Sequence, residues 1–219
     1  GKTTAIRALC GLIGVDSGAI DVFGTPQRPN LMEIKRRIGL VTQEITIFED
    51  LSARENLQFF GGLYGLRGQE LKDRIAETLA FVGLTENADK RAKKYSGGMK
   101  RRLNVACALT HRPELLVMDE PATSLDPPSQ QVFMELLGEA RARGAAALLS
   151  SHQLHDIEKA CDRICLIDRG TVRDIASIAE IRRRTAPPPS EPRPAEAEGA
   201  APEAGPVPDG KKPAEGFAY

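Results

Sequence analysis

Apolar residues near the start of the chain recur at helical spacing: Ala5, Ile6, Leu9, Leu12 and Ile13 share a face before Gly14 and Gly18 mark a turn. A helix is therefore predicted directly after Gly1-Lys2-Thr3-Thr4. Two β-type runs follow, Ala19 to Phe23 and Ile38 to Thr42, the second apolar throughout as a buried strand should be. From Glu44 to Ala108 the pattern becomes helical. Ser52 and Glu55 make a capping box ahead of Leu57, Phe59 and Phe60, and Leu71, Ile75, Leu79 and Val82 form an amphipathic stripe. Residues 44–108 are expected to be a helical insertion.

Strand-like runs return at Leu115 to Met118, Ala146 to Ser150 and Ile164 to Ile167, separated by helical stretches at Val132 to Arg143 and Leu154 to Ala160. This alternation predicts an α/β fold with a mostly parallel sheet. Asp168-Arg169-Gly170 reads as a hairpin turn and Ile175 to Arg184 as a last short helix. Beyond Ala186 the chain is Pro, Ala, Glu and Gly with few large apolar residues, which cannot offset ordering entropy. Residues 1–185 are thus expected to be one folded unit and 186–219 a disordered tail. No internal repeat interrupts this plan.

Composition narrows the function. Thirty basic residues balance thirty acidic ones, so no global field draws the chain to nucleic acid or to an anionic membrane. No apolar run reaches bilayer-spanning length, and any membrane link would have to come through a partner. Cys10, Cys107, Cys161 and Cys165 lack metal-ligand spacing and read as buried thiols of a reducing cytosol. His111 and His155 have no partner set and read as surface or satisfied helix residues. Lys90 to Lys94 and Arg182 to Arg184 read as solvated charged faces, and Tyr64, Phe59 and Phe60 as core or partner-facing.

Three segments carry chemistry. Gly1-Lys2-Thr3-Thr4 matches the end of a G-x-x-x-x-G-K-[ST] loop, whose backbone amides cradle phosphates, whose lysine reaches the β- and γ-phosphates and whose hydroxyl binds Mg²⁺. Taken alone, four residues fit a capped helix start equally well. Leu115 to Met118 delivers Asp119 and Glu120 to the carboxyl end of a buried strand, the edge where open α/β sheets bind ligands. Asp119 there suits Mg²⁺, and Glu120 suits a general base beside an attacking water. Both segments in this order, in this context, strongly favour a P-loop NTPase. The third, Tyr95-Ser96-Gly97-Gly98-Met99, offers an N-cap serine and two glycines that open the first-turn amides to a phosphate. Lys100-Arg101-Arg102 follow at the positive end of that helix, which the macrodipole disfavours, and anion binding is the expected reason.

The set resembles the ATP-binding cassette family, whose Leu-Ser-Gly-Gly-Gln signature sits in a helical subdomain ahead of the acidic strand. The resemblance covers Gly1 to about Arg184 and implies a RecA-like P-loop core. It implies that Gly1, Lys2, Thr3 and Thr4 bind ATP, that Thr3, Gln43 and Asp119 face Mg²⁺, and that Glu120, His152 and Gln43 serve hydrolysis. Gln43 matches the family's Q-loop glutamine, Ser124-Leu125-Asp126 its D-loop, and His152 its switch histidine. A second cassette is implied too, with Ser96, Gly97 and Gly98 of one completing the ATP site of the other, as is a transmembrane permease that holds the chain at the cytoplasmic face of a membrane.

Tyr95 and Met99 stand where the signature has leucine and glutamine. Together with Asn56 to Gly65 they resemble an exporter branch associated with drug resistance, polysaccharide or lipid-linked cargo. The family's adenine platform, first strands and leading loop glycines would precede Gly1, so the natural N-terminus is expected to be missing. Soluble ATPases of chromosomes or ribosomes carry long heptad arms or paired cassettes, which this chain lacks. A non-catalytic module is disfavoured by the presence of Lys2, Asp119, Glu120 and His152.

Overall fold

Three apolar runs become the strands that position everything else. The computed structural model describes residues 1–28, 31–121 and 127–185, with side chains at 127–129, 154–156 and 185 outside the description. Ser124, Leu125, Asp126, the side chain of His155 and the tail 186–219 therefore lie outside the described residues. Contacts divide the chain into two units, Gly1–Arg184 and Thr185–Tyr219.

The central sheet is parallel, β3 (Ile38–Val41), β4 (Leu115–Asp119) and β5 (Ala146–Ser150) in that order. Register runs Ile38↔Leu115 to Val41↔Met118 on one side and Leu115↔Ala146 to Asp119↔Ser150 on the other. All three strands thus end on one edge. β4 lies in the middle with Leu116, Val117 and Met118 almost wholly shielded, which explains its unbroken apolar run.

Helix α1 (Lys2–Leu9) packs Ile6 and Cys10 with Ile38 and Val117 of the sheet. It ends sooner than the apolar spacing suggests, because Gly11 at φ +62° turns the chain and leaves Leu12 and Ile13 exposed. The run at Ala19 to Phe23 contributes only β1 (Asp21–Val22), paired antiparallel with β2 (Thr25–Pro26), and α2 (Met32–Lys35) leads into β3.

Between β3 and β4 stand α3 (Ala53–Leu63), α4 (Gly68–Phe81) and α5 (Gly97–Leu109). Ser52 Oγ accepts from Glu55 N and Glu55 Oε2 accepts from Ser52 N, the reciprocal cap that starts α3. Leu57, Ile75, Leu79, Val82, Leu84 and Leu103 form the core these helices share. Gly61 lets α3 and α4 approach, since a Cβ there would stand 2.7 Å from Leu71 Cδ1.

After β4 come α6 (Pro127–Ala142), β5, α7 (Leu154–Ala160), β6 (Arg163–Asp168), β7 (Thr171–Ser177) and α8 (Ile178–Thr185). The helix expected from Ile175 begins only at Ile178. The turn at Arg169 and Gly170 folds β7 back on β6 with Cys165↔Ile175 and Arg163↔Ser177 paired, so the ladder holds those residues extended. Ser177 and Glu180 then cap the helix reciprocally. Of the cysteines, Cys10 and Cys107 are buried, but Cys161 is only partly buried and Cys165, on β6, is exposed, against expectation.

Candidate functional site

Because β3, β4 and β5 end together, the residues that follow them share the carboxyl edge of the sheet: Gln43 after β3, Glu120 after β4, His152 after β5. α1 begins at the same place. Lys2 Nζ donates to Glu120 Oε1 at 2.9 Å and to the Ser151 carbonyl at 3.0 Å. The other carboxylate oxygen of Glu120 lies 2.7 Å from His152 Nδ1. Glu120 is therefore the hub of a lysine–carboxylate–imidazole chain, 13% exposed between Lys2 at 41% and His152 at 61%.

Glu120 takes a backbone conformation that a glutamate adopts only at a cost, φ +47°. Its amide is held by the Ser150 carbonyl at 3.1 Å and by Ser150 Oγ at 3.0 Å. Ser150 Oγ in turn donates to Asp119 Oδ1 at 2.5 Å. One serine thus fixes both acids, burying Asp119 and tilting Glu120 toward Lys2. Sequence reading did not single out Ser150. Its only signal is a polar residue closing an apolar strand.

At the start of α1, Gly1 is the N-cap and provides no side-chain cap, so the amides of Lys2, Thr3 and Thr4 lie at a positive helix end that suits phosphate. Thr3 is half-buried there and Thr4 exposed. Asp119, a hydroxyl of Thr3 and an amide oxygen of Gln43 are hard oxygen donors. With one carboxylate among them, the set fits Mg²⁺, which takes few protein ligands and shares substrate phosphates. Gln43 itself is exposed, and the contact that fixes it is through its carbonyl.

That contact comes from Arg101, one turn into α5. Its guanidinium donates to the carbonyls of Pro121 at 2.7 Å, Thr42 at 2.9 Å, Gln43 at 3.1 Å and Glu120 at 3.4 Å. Arg101 is buried, and desolvation pulls its pKa below the usual value. Its neighbours are engaged as well: Lys100 with Glu49 at 2.6 Å, and Arg102 with the carbonyls of Val82 and Gly83. Protein contacts account for the basic run, so the anomaly of Lys100-Arg101-Arg102 at the positive helix end does not require anion binding. At the start of α5 the segment presents Ser96, Gly97 and Gly98. Ser96 Oγ caps α5 by accepting from Met99 N at 3.2 Å, and Ser96 and Gly97 are exposed.

His111 is packed against the protein instead of open to solvent. Its ring stacks on Tyr64 at 3.6 Å with an interplanar angle of 1°, and Nε2 lies 3.1 Å from the Ile38 carbonyl. Among the described residues no helix is long and apolar enough to cross a membrane.

Residues 1–123 match the protein family described as ABC transporter. The chain is 42% identical over 184 residues to the linearmycin resistance ATP-binding protein LnrL of Bacillus subtilis, covering 84% of this chain and 59% of that one. It is 41% identical over 170 residues to the Nod factor export ATP-binding protein I of Sinorhizobium fredii, covering 78% of this chain and 50% of that one. The chain thus spans between half and three-fifths of the length of these relatives. Among solved structures, cbiO1 of Clostridium perfringens, part of the ABC transporter complex cbiONQ, superposes with a TM-score of 0.76 at 25% identity, covering 84% of this chain and 75% of that one. An ATP-binding subunit of another ABC transporter gives 0.74 at 29% identity, with 84% and 77% covered.

Proposed function

The chain belongs to the ABC transporter family, with its P-loop NTPase fold, and from that premise we propose that it is an ATP-binding subunit that hydrolyses ATP to drive export through a partner permease. The observation that carries the reading is the Lys2–Glu120–His152 chain at the carboxyl edge of the sheet. A γ-phosphate arriving at the start of α1 replaces the Glu120 carboxylate as the partner of Lys2. Glu120 is then released to take the proton of the attacking water, while His152 and Gln43 complete the site. Thr3, Asp119 and Gln43 would hold Mg²⁺, which would supply neutralising charge to the phosphate oxygens.

A second cassette is part of the proposal, with Ser96, Gly97 and Gly98 of each copy, and Asp126, completing the site of the other. Residues 44–108 act as a helical subdomain. The permease contact is supported by an aromatic cluster on the helical block. Phe48 meets Phe59 edge-on at 4.8 Å, Phe59 meets Phe60 at 5.4 Å, and Phe48, Phe59 and Leu63 stand exposed. Such a contact would hold the chain at the cytoplasmic face of the membrane. The names of the two relatives, one for linearmycin resistance and one for Nod factor export, support outward transport.

Glu120→Gln in the full-length protein tests the assignment. Phosphate release should fall by about 100- to 10,000-fold, the usual contribution of a general base, with ATP binding retained and an ATP-bound dimer accumulating in light scattering. Undiminished turnover would remove Glu120 from the role.

A further inference from the structure

A cavity of about 560 Å³ lies at the other end of the sheet from Lys2, Glu120 and His152. Glu114 and Ala145 line it, and each immediately precedes the first residue of a strand, β4 or β5, whose far end carries the acids or the histidine. Five residues at about 3.3 Å each separate the two ends by roughly 15 Å. Its size is that of a small-molecule site. The walls are apolar, with Phe81, Leu109, Pro113 and Ala140 among them.

The rim is not. Three guanidiniums converge on Glu77: Arg112 Nη2 at 2.6 Å, Arg143 Nη1 at 2.9 Å and Arg74 Nη1 at 3.6 Å. A single carboxylate balances only one of them. Glu114, the other acid, is held in a two-bond fork by Arg37 at 2.6 and 2.7 Å. Arg74 Nη1 is shielded from solvent and makes no hydrogen bond, so an anionic oxygen entering the cavity would give it an acceptor it lacks. Arg143 also lies over the Phe81 ring at 4.6 Å, joining the charged rim to the apolar wall.

We propose that this cavity binds a small amphipathic oxyanion, its phosphate or carboxylate head on Arg74, Arg112 and Arg143 and its hydrocarbon body against Phe81, Leu109 and Pro113. The site is separate from the nucleotide site and stands whether or not ATP is the substrate there. An occupant would bridge α4 to the turn between α6 and β5, tying the helical block to the sheet.

Calorimetric titration of the full chain with octyl phosphate below its micelle concentration, inorganic phosphate and 1-octanol tests it. Octyl phosphate should saturate a single site, with inorganic phosphate and octanol each at least about tenfold weaker, since head and body act together. Arg74→Gln should weaken octyl phosphate by about tenfold or more. Arg112→Gln, at a side chain 63% exposed, should do likewise without threatening the fold. Lys2→Ala, which alters the nucleotide site, should leave the octyl phosphate isotherm unchanged. The proposal is overturned if octyl phosphate fails to saturate, if inorganic phosphate binds equally well, if both arginine variants bind normally, or if Lys2→Ala abolishes binding and so locates the anion at the nucleotide site.

Discussion

Arg101 is worth most where its charge matters least. Four carbonyls from two separate loops depend on one guanidinium, and removing it leaves buried acceptors without donors. Arg101→Met should therefore destabilise the protein by about 3 kcal/mol in urea unfolding. Arg101→Lys should recover only part of that loss, because an ammonium cannot reproduce the planar fork. His111 makes a second residue-scale prediction. Burial pulls its pKa from 6.5 to about 4, against the hydrogen bond to Ile38 that favours the charged ring. The unfolded chain takes up a proton below 6.5 that the native state refuses until about 4. Stability is thus full above pH 6.5 and falls as pH drops toward 4, with a slope approaching about 1.4 kcal/mol per pH unit. His111→Phe, which keeps the stack on Tyr64, should flatten the melting temperature against pH between 6.5 and 5. The salt-bridged or capping carboxylates Asp50, Asp89, Glu55, Glu114 and Glu180 have lowered pKa values and lose their contributions at lower pH, outside that comparison.

At the scale of elements, β3 lies so close under the end of α5 that only glycine fits at its second position. A Cβ on Gly39 would collide with the Ala108 carbonyl and stand 2.8 Å from Pro113 Cγ. Gly39→Ala should cost about 2 kcal/mol by overpacking and lower the melting temperature by about 4–8 °C, read by calorimetry. Such a contact was invisible in the sequence, where Gly39 is one small residue in an apolar run. What was legible were the features that depend on neighbours along the chain. The reciprocal cap of Ser52 and Glu55, the stripe from Leu71 to Val82 and the run from Leu115 to Asp119 each encode their own geometry. What was not legible depended on a distant segment. Ile175 to Ser177 have helical neighbours in sequence, yet the β6 ladder holds them extended. Lys100 to Arg102 stood out as an electrostatic anomaly, but nothing local says that their partners are Glu49, two loops and the end of α4.

Across the whole molecule, β3 and β5 are the two edge strands of the central sheet among the described strands, and β5 is the exposed one. β5 pairs only with β4, and Ala146, Ala147 and Leu148 are exposed, Leu148 at 42%. An unpaired apolar strand edge is a template for association. The chain should self-associate as concentration rises in static light scattering, and Leu148→Lys should reduce that association; an unchanged scattering curve would locate the contact elsewhere. The two loops fastened to Arg101 have a mechanical consequence. A guanidinium is a flat, stiff plate, and turns riveted to it move together or not at all. A push on Thr42 and Gln43 is delivered to Glu120 and Pro121 as displacement instead of being lost as slack, so this arginine is the fulcrum of a short lever that ends at the acid.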